Sequence, residues 1–87
     1  MEEIAIRLTF QERDLIIQRH TIDAELLEKL QIAQIQGKNL IVKLSIEYLE
    51  DLVDFVAAEA NHAEDQRTEA KLDKLYDKLC GILDSHQ

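Results

Sequence analysis

The sequence predicts a small α+β fold made of two pseudo-symmetric β-α-α units, with a two-stranded sheet covered on one face by four helices. Three observations lead there. Two short segments alternate in hydropathy at the period of a strand, each runs straight into a helix-start signal, and the two halves match when the chain is shifted by 36 residues, Ile4 falling on Leu40.

In the first strand, Ile4-Ala5-Ile6-Arg7-Leu8 places Ile4, Ile6 and Leu8 on one face and Arg7 on the other. Thr9 followed by Glu12 is a capping box, in which hydroxyl and carboxylate satisfy each other's free backbone N–H groups. A first helix is therefore expected over 10–19, broken at His20-Thr21-Ile22. Asp23 stands as the cap of a second helix, with Ile22 and Leu27 placed as a hydrophobic staple and Leu26, Leu27, Leu30 and Ala33 as its buried stripe. Glu25 and Lys29 are spaced as a favourable i,i+4 pair. Gly37 ends the segment as a helix C-terminal or turn residue.

The second strand, Leu40-Ile41-Val42-Lys43-Leu44, repeats the alternation with Lys43 outward, and Ser45 takes the place of Thr9. A third helix over 46–62 puts Leu49, Leu52, Val53, Val56 and Ala60 on one face. A fourth over 66–83 does the same with Leu72, Leu75, Tyr76, Leu79 and Leu83, after a turn for which Asp65 is the cap. At the 36-residue offset Ile4, Ile6, Arg7, Leu8, Thr9, Phe10, Ile16 and Ile17 fall on Leu40, Val42, Lys43, Leu44, Ser45, Ile46, Leu52 and Val53, each pair keeping its chemical type. A pseudo-twofold relation would pair the strands antiparallel, although an α-α connection also permits parallel pairing.

Length and composition bound the rest. Eighty-seven residues and 10.1 kDa make one domain, 1–87, with repeat units at 4–36 and 40–83. Proline is absent and glycine occurs twice, which excludes collagen-like, Pro-rich and Gly/Ser-linker architectures. With 18 acidic and 10 basic residues, a surface of net charge −8 repels phosphate, so neither nucleic acid nor an anionic membrane is an expected partner. The acidity is lopsided: residues 1–43 carry 7 acids and 6 bases, residues 44–87 carry 11 and 4. Cys80 is the sole cysteine, on an apolar helical stripe where it packs as a small hydrophobe. The acidic start Met1-Glu2-Glu3 is unlike a signal peptide, and a cytoplasmic location is expected.

Motifs for catalysis are missing. Gly37-Lys38 lacks the spacing of a phosphate loop, there is no Gly-x-Ser-x-Gly, and Ser45 and Ser85 read as a cap and a tail residue. The expectation is a non-enzyme without cofactors. Glu47, Glu50, Asp51 and Asp54 follow i, i+3, i+4, i+7 spacing opposite the apolar stripe, and no Lys or Arg occurs from Ser45 to Asp65. Such a face is solvated or a docking surface for a basic partner, and less suited to a divalent metal, since one helix face offers carboxylates without a convergent cage. Tyr48 and Phe55 flank it, either widening the apolar face or adding cation–π contacts to that partner. Glu59 and His62 form the Glu-x-x-His spacing used in carboxylate metal bundles, but in one copy, which leaves a small metal- or ligand-binding protein using them and neighbouring carboxylates as the alternative. His20 and His86 stand alone.

Val56-Ala57-Ala58-Glu59-Ala60-Asn61-His62, with Leu72-Asp73-Lys74-Leu75-Tyr76-Asp77-Lys78-Leu79 behind it, resembles the end of short bacterial proteins of unknown function. The resemblance covers about a third of the chain and implies a bacterial, cytosolic origin without an activity. A homodimer is also expected, because a two-stranded sheet is marginal alone and leaves unpaired edges, and Leu15 fits its helix's inner stripe poorly.

Overall fold

Six residues of alternating hydropathy at each end of the first half pair with one another. β1 (Ile4–Thr9) runs antiparallel to β3 (Asn39–Leu44), with Ile4 opposite Leu44, Ile6 opposite Val42 and Leu8 opposite Leu40. All six are buried, and they form one continuous apolar sheet face. Burying each such side chain contributes about 1.5–3 kcal/mol. Ala5, Arg7 and Lys43 stand exposed on the opposite face.

A computed structural model describes residues 3–18 and 22–86. The elements run β1, α1 (Phe10–Ile17), α2 (Ala24–Gln31), β2 (Gln34–Gln36), β3, α3 (Ile46–Asn61) and α4 (Gln66–Ser85). The chain forms two compact units, Met1–Tyr48 and Leu49–Gln87.

In the first unit the sheet has three strands, in the order β1-β3-β2, and not the two expected. β2 is the difference. Of the two roles expected for Gly37, helix end or turn, it takes the second: it turns the chain from β2 into β3, since Gln36 pairs with Asn39 across the two-residue loop Gly37-Lys38. Gly37 has φ +61° and Lys38 does not share the positive φ, the pattern of a type II′ hairpin turn. The helix before it stops at Gln31, so Ala33 lies outside the α2 stripe, which retains Leu26 and Leu30 as its buried residues. Asp23 occupies the N-cap position of α2, but its side chain makes no capping hydrogen bond. α1 is capped as expected: the Thr9 backbone N–H donates to Glu12 Oε1 at 2.8 Å and the Glu12 N–H to Thr9 Oγ1 at 3.0 Å. α1 ends at Ile17, two positions before the expected limit; the expected break at His20 and Thr21 lies outside the described residues. α1 contacts β1, α2 contacts β3, and the two helices contact each other. Ile16 is the buried residue of α1, while Leu15 is half-buried.

The second unit is a helical hairpin. α3 and α4 are separate helices joined by residues 62–65. Asp65 caps α4, accepting the Thr68 N–H at 2.6 Å and the Thr68 hydroxyl at 2.9 Å. The α3 stripe is buried in full at Leu49, Leu52, Val53, Val56 and Ala60. On α4, Leu72, Leu75 and Leu79 are buried, whereas Tyr76 and Leu83, expected in the same stripe, are half-buried.

Of the residues matched at the 36-residue offset, Thr9 and Ser45 both cap, and Ile4 and Leu40, Ile6 and Val42, Leu8 and Leu44, Ile16 and Leu52 are buried alike, whereas half-buried Ile17 falls on buried Val53 and exposed Phe10 on half-buried Ile46. Pseudo-symmetry of whole units does not follow from this. α1 has 8 residues against 16 in α3, α2 has 8 against 20 in α4, and β2 has no counterpart.

Candidate interaction surface

α3 begins where Ser45 Oγ accepts the Tyr48 N–H at 3.3 Å, which fixes the helix phase from its first turn. With Leu49, Leu52, Val53 and Val56 buried, that phase turns Glu47, Glu50, Asp51 and Asp54 outward, and all four are exposed. Glu47 with Asp51 and Glu50 with Asp54 are like-charged i,i+4 pairs, each unfavourable by a few tenths of a kcal/mol. Glu47 lies in the first turn and gains from the helix dipole. The other three gain nothing comparable.

Tyr48 and Phe55 are half-buried. Tyr48 is already engaged within the first unit. Its hydroxyl donates to Glu25 Oε2, and the Lys29 ammonium sits 5.0 Å from the centre of its ring. Glu25 and Lys29, spaced as an i,i+4 pair, thus both close on one aromatic ring. Sequence reasoning identified the pair and the tyrosine but not their meeting, because 23 residues separate Glu25 from Tyr48.

Tyr76 on α4 has its phenol held above the ordinary pKa first by the hydrogen bond with Cys80, then by electrostatic repulsion from that residue and by desolvation, with smaller contributions from Asp54 and Asp77. Cys80, expected as a packed hydrophobe, is half-buried and belongs to this polar cluster. Beside it, Ala57, Ala60, Asn61, Asp73 and Tyr76 line a shallow groove of about 260 Å³. The small alanines of α3 leave the space, and the Tyr76-x-x-x-Cys80 spacing is the signal that places a polar pair next to it.

Glu59 is half-buried and His62 is exposed just past the end of α3, where its N–H donates to the Ala58 and Glu59 carbonyls, each at 3.2 Å. Among the described residues no three His, Cys, Asp or Glu side chains converge as a metal site. His86 sits at the C-terminal end of α4, and His20 lies outside the described residues. No described helix is long and apolar enough to cross a membrane. No protein-family model matches the chain, and no curated protein or solved structure matches it significantly.

Proposed function

We propose that the chain is a non-catalytic, cytoplasmic interaction module whose α3 docks a basic protein partner. The observation that supports this reading is the outward face of that helix: Glu47, Glu50, Asp51 and Asp54 are all exposed, and no Lys or Arg lies between Ser45 and Asp65 to offset them. Folding gains little from such a face, whereas a cationic partner gains a steered approach and a set of carboxylates for Arg and Lys. Phe55, half-buried at the rim, adds apolar contact, and Tyr48 offers only the part of its ring that Lys29 leaves free. The alternative, a metal- or ligand-binding role, would rest on Glu59, His62 and neighbouring carboxylates.

Charge reversal tests the reading. Tagged wild type and the Glu50→Lys, Asp54→Lys double variant are incubated with native-cell lysate, and the captured proteins are quantified across a salt series. The expected result is a basic protein retained by wild type in a salt-sensitive manner and lost by the folded variant. Identical captured sets would mean that the acidic face is solvated and does not dock.

A further inference from the structure

β2 is an edge strand: among the described residues no strand pairs with its outer side. It pairs only with β3, and Gln34, Ile35 and Gln36 are all exposed. Ile35 opposes Leu40, which in turn opposes Leu8, so it belongs to the apolar row of the sheet, yet it is 64% exposed. Ile32, just before the strand, is 75% exposed. Edge strands are normally blunted by charge or proline. Here the stretch from Ile32 to Gly37 holds neither, in a chain in which 32% of residues are charged.

Register shows which backbone groups are free. In a two-residue hairpin the positions flanking the loop form a hydrogen-bonded pair, which here is Gln36 with Asn39. Alternation makes Gln34 with Ile41 the next bonded pair and turns the N–H and C=O of Ile35 to the open edge. The strand sequence Gln-Ile-Gln is also the same read in either direction.

We infer that the β2 edge is a homodimer interface, in which two copies pair antiparallel about a twofold axis through Ile35. Each Ile35 N–H donates to the other copy's Ile35 C=O, the two isoleucine side chains meet on the apolar face, and Gln34 of each copy lies opposite Gln36 of the other. A twofold contact of this kind closes on itself, which disposes of the edge without building a fibre. Charge opposes a second copy less at this place than elsewhere on the chain. Residues 1–43, which include β2, carry 7 acids against 6 bases, while the 11 acids and 4 bases of residues 44–87 would repel their like. The pairing covers a short strand, so the dimer is weak and forms at high micromolar concentration.

Two measurements test it. Sedimentation equilibrium over a concentration series should show wild type rising toward twice the 10.1 kDa chain mass, and Ile35→Lys, folded by circular dichroism, remaining at the chain mass. In a Cys80→Ser background, Gln34→Cys and Gln36→Cys chains should form a disulfide dimer when mixed and oxidised, and much less when oxidised separately. The second experiment leaves Ile35 in place, so it stands even if the lysine variant fails to fold. A wild type that stays at the chain mass, an Ile35→Lys chain that dimerises equally, or crosslinking that ignores the mixing would each overturn the assignment.

Discussion

The Tyr48 hydroxyl donates a hydrogen bond to the Glu25 carboxylate, tying the first turn of α3 to α2. Lys29, one turn beyond Glu25, covers the ring of the same tyrosine. The two contacts are separable by substitution. Tyr48→Phe keeps the ring under Lys29 and removes the hydroxyl, and should cost about 0.5–1 kcal/mol for a solvent-accessible bond to a charged acceptor. Tyr48→Ala should cost more, because the cation–π contact and the ring's packing go as well. Urea denaturation of Tyr48→Phe, Glu25→Gln and the double variant reads the coupling. Fully additive losses would mean that hydroxyl and carboxylate do not interact in solution.

The two glycines should respond to alanine with opposite signs. Gly37 has φ +61° in the β2-β3 turn, and an added Cβ meets nothing within 4 Å. The whole penalty of Gly37→Ala is therefore backbone strain, about 1–2 kcal/mol for an L-residue held left-handed. Gly81 lies inside α4, also with nothing near its Cβ position. Gly81→Ala should stabilise by about 0.5–1 kcal/mol through helix propensity. Thermal melts of both variants check the pair. A stabilising Gly37→Ala would mean that the turn relaxes to an ordinary conformation.

That contrast also marks what the sequence could convey. Strong periodicity carried β1, β3 and the α3 stripe, because each spans enough residues for one face to declare itself. Caps with their own chemistry, Thr9 with Glu12, Ser45 and Asp65, were equally legible. β2 was not, since Gln-Ile-Gln offers a single apolar residue and the preceding Ile32 and Ala33 extend a helical pattern. The useful signal was a glycine first in a two-residue gap, Gln36-Gly37-Lys38-Asn39, directly before a clear strand. Tyr76 and Leu83 share the spacing of the α4 stripe but are only half-buried. Periodicity says which face a residue is on, and not how far along the helix the buried region reaches. The acidic face of α3 was readable in full, but Asp54's proximity to Tyr76 depends on how α3 and α4 pack.

Asp65 gives α4 a pH dependence of known sign. The Thr68 backbone N–H, followed by the Thr68 hydroxyl, holds its carboxyl below the usual pKa. A depressed carboxylate pKa adds stability above the unfolded value, and that stability is lost as pH falls through the lowered folded value. Asp65→Asn keeps a capping oxygen and removes the titration. Wild type should melt above Asp65→Asn at neutral pH, and the gap should close as pH drops below the carboxylate range. A gap constant across that range would mean that capping by Asp65 does not depend on its charge.

Tyr76 provides the matching test at alkaline pH. Its phenol is held above the ordinary value first by the hydrogen bond with Cys80, then by electrostatic repulsion from that residue and by desolvation, and last by Asp54 and Asp77. The chain has two tyrosines, so in a Tyr48→Phe background the tyrosinate absorbance reports Tyr76 alone. Cys80→Ala should bring the titration midpoint down the most, and Asp54→Asn should move it the same way by less. The sign for stability follows. An acid whose folded pKa is raised resists ionising, so its contribution is intact below the ordinary tyrosine pKa and is lost as pH rises through the raised one. Cys80→Ala should therefore weaken the loss of stability at alkaline pH as well as shift the midpoint. If Asp54→Asn leaves the midpoint unmoved while Cys80→Ala lowers it, Asp54 points wholly to solvent, and its charge is available to a partner undiminished. If it lowers the midpoint as expected, one carboxylate of the acidic face is shared with α4, and Glu50→Lys alone becomes the cleaner probe of docking.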